Sequence, residues 1–160
     1  MTYSIHEQEG RVHLSPFSKI NVEDPFFDSL KSDYKNFSSW FSRKSASGES
    51  AFVVFSDDRI SGFVYVKEES VACPFTSPPL PESKVLKVGS FKLLSSGRGL
   101  GEKFMRRILR YASDINCSHV YFTIFNKYPY AVDVFSKAGF KYHGIKQSEN
   151  GLEKVYLCEV

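Results

Sequence analysis

The chain has 160 residues, 42% hydrophobic and 24% charged, which excludes a disordered polar chain and is enough for one domain (1–160) to bury a core without metals or disulfides. Its net charge of +3, from 21 Lys and Arg against 18 Asp and Glu, is too mild to argue for nucleic-acid binding by itself. The absence of an apolar stretch of signal-peptide or membrane-span length, together with three cysteines (Cys73, Cys117 and Cys158) in no short C-x-x-C spacing, implies a cytoplasmic protein without disulfide framework, zinc site or membrane contact.

In chain order, the first helical signal is "DPFFDSLKSDYKNFSSWF", residues 24–41, where Phe26, Phe27, Leu30, Tyr34, Phe37, Trp40 and Phe41 recur at spacings of three and four. Asp24 followed by Pro25 predicts an N-cap with proline at the first helical position. Residues 50–69 then read as a hairpin of β-branched and aromatic runs turning near Ser56–Arg59. Four prolines in "CPFTSPPLPES" predict a loop, inserted between two strands over 73–85. Strand composition returns over 83–94, and a helix is expected to about Ile115. "SHVYFTIF", residues 118–125, reads as a strand buried on both faces. "YAVDVFSKAGF", residues 130–140, reads as a short helix with Gly139 at C′, followed by two strands about a turn at Glu149–Gly151. The alternation predicts an α/β (α+β) domain with a mixed central sheet of about seven strands flanked by helices. The aromatic share of 16% assigns rings to core packing ahead of a pocket lining, Trp40 included.

Within "SSGRGLGEKFMRRILRYA", residues 95–112, Gly97, Gly99 and Gly101 directly precede the helix. Leu100, Phe104, Ile108, Tyr111, Ala112 and Ile115 form its apolar stripe, and Lys103, Arg106, Arg107 and Arg110 its basic face. A helix N-terminus carries unpaired N–H groups and partial positive charge, and glycine lets an anion approach them. Spacing alone leaves two readings open, a diphosphate site or a tight turn without ligand. G-x-G-x-G is neither a Walker loop nor the dinucleotide G-x-G-x-x-G.

Residues 86–140 carry a resemblance to the GNAT superfamily of acyl-CoA N-acyltransferases. "SGRGLGEKFM" resembles the family's pyrophosphate motif at Ser96, Gly99 and Gly101, and "YAVDVFSKAGF" resembles its late helix. The resemblance implies that acetyl-CoA binds between the strand ending near Leu94 and the strand Val120–Phe125. Backbone groups of Phe91, Lys92 and Leu93 would pair with pantetheine, and those of Gly97, Arg98, Gly99, Leu100, Gly101 and Glu102 would hold the pyrophosphate beside Ser96. It also implies direct attack by an amine, on a small molecule or a protein; among nucleic acids only an aminoacyl-tRNA is kept as an acceptor. Asn126 is a turn residue or a pantetheine partner.

Two residues depart from the family pattern: Ser96 stands where Gln or Arg is usual, and Phe135 stands where a tyrosine commonly protonates the leaving thiolate. Tyr130 and Tyr128 are therefore the candidate acids, with ring packing as their competing reading. No Asp or Glu lies on strands 84–94 or 118–125, so ordered water ranks ahead of Asp33, Tyr34 and Asp133 as base. His6, His13, His119 and His143 show no ligand spacing, and no metal is expected. The alternative is a non-catalytic acyl-CoA-binding or protein-interaction module with the same fold.

Overall fold

The computed structural model describes residues 10–56, 59–69, 76–80, 83–94, 99–124, 133, 135–148 and 151–160. Strand β1 (His13–Pro16) leads through a 3₁₀ turn (Phe17–Lys19) to a second one (Pro25–Phe27) that opens helix α1 (Asp28–Asp33). The Asp24 carboxylate accepts the Phe26 N–H at 2.9 Å, with Pro25 at the first position, so the Asp-Pro pair starts this segment as its chemistry predicts. Helix α2 (Phe37–Ala46) is followed by the expected antiparallel hairpin of β2 (Ser50–Ser56) and β3 (Arg59–Glu69).

Of the proline-rich insertion, residues 73–75, 81 and 82 lie outside the described residues, and Thr76–Ser77 form a short strand, β4, which pairs antiparallel with β7 (Lys141–Ser148) in place of the expected loop; strand β5 (Val85–Leu93) falls within the strand expected over 83–94. Pro78, Pro79 and Pro81 all follow Ser77, so Thr76 and Ser77 keep their N–H groups for an edge ladder. Helix α3 (Leu100–Asp114), β6 (His119–Ile124) and β8 (Gly151–Glu159) complete the elements used below. The sheet has eight strands in the order β1-β2-β3-β5-β6-β8-β7-β4, with β4 the strand beyond the expected seven. It is mixed: β5 runs parallel to β6, whereas β6 with β8 and β7 with β8 run antiparallel.

The chain forms two compact units, Met1–Tyr65 with Ser90–Ser96, and Val66–Gly89 with Gly97–Val160. The first is built on aromatic rings. Phe17 is fully buried and meets Phe41 edge-on at 4.8 Å between centroids, Trp40 and Tyr65 at 5.7 Å and Phe63 at 5.9 Å. Such edge-to-face contacts set the positive ring edge against the negative face. Trp40 is a partly buried member of this core, which is the packing role expected for it.

In the second unit, β6 is buried as its apolar run predicts: Phe122 stacks on Phe135 at 3.8 Å and on Tyr156 at 5.1 Å, while Tyr121 packs on the other side with Leu80, Val85 and Val155. Helix α3 buries Phe104, Met105, Ile108 and Ala112. It stops at Asn116, which takes φ 63° and lets Cys117 N–H reach the Ala112 carbonyl at 2.9 Å. Gly139 closes the later helical turn in the same way: at φ 104° it allows Phe140 N–H to bond the Phe135 carbonyl at 3.1 Å. The last turn of α3 holds no basic residue of its own. The Lys84 ammonium donates to the Ile115 carbonyl at that end and pairs with Glu68 at 2.9 Å, so a residue just ahead of β5 supplies the positive charge the helix dipole favours.

Gly144 sits at the bulge of β7, where a β-carbon would lie 2.2 Å from the Ser77 carbonyl oxygen and 2.6 Å from Pro78 Cδ. Gly144→Ala should therefore lower the unfolding free energy by about 1–3 kcal/mol, the usual cost of overpacking, in a urea titration. An unchanged midpoint would mean that β4 moves aside without loss.

Candidate active site

Gly99 takes the left-handed conformation (φ 68°, ψ 27°) at the N-cap of α3, where a residue with a side chain is strained. Its carbonyl accepts the first helical bond, from Lys103 N–H at 3.1 Å. The N–H groups of Leu100, Gly101 and Glu102 therefore precede the first i→i−4 bond, and no side chain caps them among the described residues. Among the described residues only Glu102 Oε2, at 4.0 Å, approaches the place a Gly99 β-carbon would take. The partial positive charge of a helix start suits a phosphate oxygen. Ser96, Gly97 and Arg98 lie outside the described residues.

Strand β5 comes immediately before this turn. Its parallel ladder with β6 runs from Val85↔His119 to Val88↔Phe122, while β5 itself continues to Leu93 and β6 to Ile124. Phe91, Lys92 and Leu93, on the final part of β5, are all half-buried, and Leu94 N–H bonds the Ser61 carbonyl at 3.0 Å. These three residues belong to the first unit, whereas Gly99 through Glu102 belong to the second. Tyr128, Tyr130 and Asn126 lie outside the described residues.

Phe135 is 1% exposed and packs between Phe122 and Phe140, so this ring is part of the core. Asp133 is exposed and bound to Lys137 at 3.2 Å; Asp33 is also exposed, at the end of α1. His13 stacks on Phe55, His119 bonds Ser118 and His143 bonds the carbonyls of Pro78 and Pro79, all structural roles. No cluster of metal-binding side chains occurs among the described residues, nor any helix long and apolar enough to cross a membrane. An open groove of about 590 Å³ in the first unit, bordered by Phe17, Lys19, Asn21, Phe41 and Ser45, contains none of the expected site residues.

Sequence spacing gave no sign of a second constellation in the first unit. The buried Tyr65 hydroxyl donates to Glu49 at 2.7 Å, and the Lys44 ammonium lies 3.2 Å from the same carboxylate and 5.1 Å from the Tyr65 ring. Burial, reinforced by the bond to Glu49, raises the Tyr65 pKa against an opposing pull from Lys44. Burial alone would lower Lys44, but its bonds to Tyr65 and Glu49 outweigh that and raise it. Burial also raises the thiol pKa of Cys117 and of Cys158, both unlinked. Tyr65 and Lys44, with ordinary values of 10.0 and 10.5, both hold their protons more tightly when folded. Their contribution to stability is complete below about pH 10 and is lost as pH rises through the folded values. Tyr65→Phe should thus flatten the alkaline fall in urea-unfolding stability above about pH 10; an unaltered slope would remove Tyr65 from the linkage.

The sequence profile of the GNAT acetyltransferase family matches residues 14–140. No curated protein sequence matches the chain. Among solved structures, an IAA acetyltransferase from Bacillus cereus superposes with a TM-score of 0.65 at 13% identity, covering 93% of this chain and 99% of that one. An acetyltransferase from Bacillus subtilis in complex with CoA gives 0.64 at 11%, covering 94% and 99%, and an N-acetyltransferase from Staphylococcus aureus gives 0.64 at 12% with the same coverage. These likenesses establish a shared fold. With the family profile spanning most of its length, from β1 to the end of the late helical turn, the chain belongs to the GNAT acetyltransferase family.

Proposed function

We propose that residues 1–160 act as one acyltransferase domain in the cytoplasm, moving the acetyl group of acetyl-CoA to an amine on a small molecule or protein. The observation that carries this reading is the uncapped start of α3, opened by Gly99 at φ 68° within the span matched by the family profile. The CoA complex of the Bacillus subtilis neighbour supports the choice of donor. In this reading the N–H groups of Leu100, Gly101 and Glu102, with those of Gly97, Arg98 and Gly99 and the Ser96 side chain, receive the pyrophosphate. Edge groups of Phe91, Lys92 and Leu93, with Asn126, receive pantetheine.

The amine nitrogen attacks the thioester carbonyl, the C–N bond forming as the C–S bond breaks. The attacking amine must be neutral, whereas an alkylammonium has a pKa of about 10.4, so its proton passes to ordered water. The CoA thiolate takes a proton from Tyr130 or Tyr128, because Phe135 has no hydroxyl to give, and the second proton that the nitrogen loses on becoming an amide returns that tyrosine to its neutral form. Free Cys117 and Cys158 suit a reducing compartment. The position of Phe135 also favours a second reading, an acyl-CoA-binding or protein-interaction module that does not turn over.

Calorimetric titration should give micromolar acetyl-CoA binding, well above that of ADP, and Gly99→Glu, which places a bulky anion at the strained N-cap, should abolish it. Equal binding in wild type and Gly99→Glu would reduce the glycine segment to a turn. In steady-state assays with acetyl-CoA, Tyr130→Phe or Tyr128→Phe should lower kcat about 10²- to 10⁴-fold, the usual contribution of a general acid, with acetyl-CoA affinity retained. If neither change slows turnover, the acid is another group; binding without any turnover favours the second reading.

A further inference from the structure

Four lysines of the described residues hold carboxylates: Lys31 with Glu23 at 3.5 Å, Lys44 with Glu49 at 3.2 Å, Lys84 with Glu68 at 2.9 Å and Lys137 with Asp133 at 3.2 Å. Lys92 is held differently. Its Nζ donates to the main-chain carbonyl of Phe26 and stands 4.7 Å from the centre of the Phe26 ring, with no carboxylate partner among the described residues. A carbonyl and a π face orient an ammonium without neutralising it. The group has three N–H donors, of which the Phe26 carbonyl takes one. Lys92 is also half-buried, so water compensates its charge less than it does that of a free surface lysine.

A long side chain already fixed in one place loses little further freedom on meeting a ligand, which makes this cation a preorganised receptor for an anion. It sits on the last part of β5 and touches the 3₁₀ turn that opens α1, both within the first unit. We infer that Lys92 is a specificity-determining residue that selects acceptors whose amine is accompanied by a carboxylate, an amino-acid-like class of substrate. The inference rests on the acyltransferase reading above. The pyrophosphate is assigned to the start of α3 in that reading, which leaves the Lys92 charge for the acceptor.

The test uses the full chain, acetyl-CoA and three acceptor probes: an α-amino acid, its C-terminal amide and the corresponding decarboxylated amine. Wild type should favour the acid over both others at least tenfold in kcat/KM, and the preference should weaken as salt rises. Lys92→Met should bring that ratio to within about twofold of unity, whereas Lys92→Arg, which keeps the charge and the donors, should retain most of it. The ratio is taken within one preparation, so partial loss of folded protein cancels, and Lys92→Gln serves if Lys92→Met does not fold.

No preference in wild type, or the same preference in the uncharged variant, overturns the inference. So does turnover of none of the three by a protein that binds acetyl-CoA, because the acceptor class is then wrong while the donor reading stands. If Lys92→Met weakens acetyl-CoA binding and leaves the acid preference intact, the lysine serves a phosphate of the donor and the inference also fails. Absence of acetyl-CoA binding by the folded wild type removes the acyltransferase reading itself.

Discussion

The parallel pairing of β5 with β6, from Val85↔His119 to Val88↔Phe122, is the constraint on which the rest of the second unit depends. Two parallel strands cannot be joined by a tight turn; the chain must cross back over the sheet, and α3 is that crossing. The helix consequently starts just after β5 and ends just before β6. At its end, Asn116 in the left-handed region and the Lys84 ammonium satisfy carbonyls that have no helical partner. At its start no side chain performs that service among the described residues. One end of the same helix is thus finished by the fold, and the other is the place proposed here for the pyrophosphate.

The aromatic residues explain how units of this size hold together. In the first unit Phe17, Phe27, Phe41 and Phe63 are all buried to completion or nearly so, and they pack edge to face around the joint between β1, α2 and the hairpin. In the second, Phe122, Phe135, Phe140 and Tyr156 form a smaller stack. Phe135 is best understood from this packing. A hydroxyl at that depth would need a partner or leave a polar group unsatisfied, and a phenyl ring avoids that cost.

The lysines differ in what their charges meet. Lys84 spans a strand and a helix end, and Lys44 completes the part-buried Tyr65–Glu49 pair; both are neutralised within the fold. Lys92 is positioned as firmly by the Phe26 carbonyl and ring, yet its charge is left unpaired among the described residues.

The sequence by itself determined the features that follow from short-range chemistry. Asp24-Pro25 started a helical segment, the apolar stripe of α3 chose its buried face, Gly139 ended a helix, and the apolar run of residues 118–125 required a strand buried on both sides. Each depends on neighbours within a turn or on the period of one element, and local sequence encodes both. Gly99 ahead of α3 was legible for the same reason, as a place where the backbone takes a left-handed conformation at a helix start. Only the tertiary structure decided that Thr76–Ser77 pair with β7, that Gly144 must lack a side chain against Ser77, that Phe135 belongs to a ring stack, and that Lys92 meets Phe26. These contacts join residues far apart in the chain, 66 positions for Lys92 and Phe26. No periodicity of either segment records the other, so this contact arises only when the fold brings the two together.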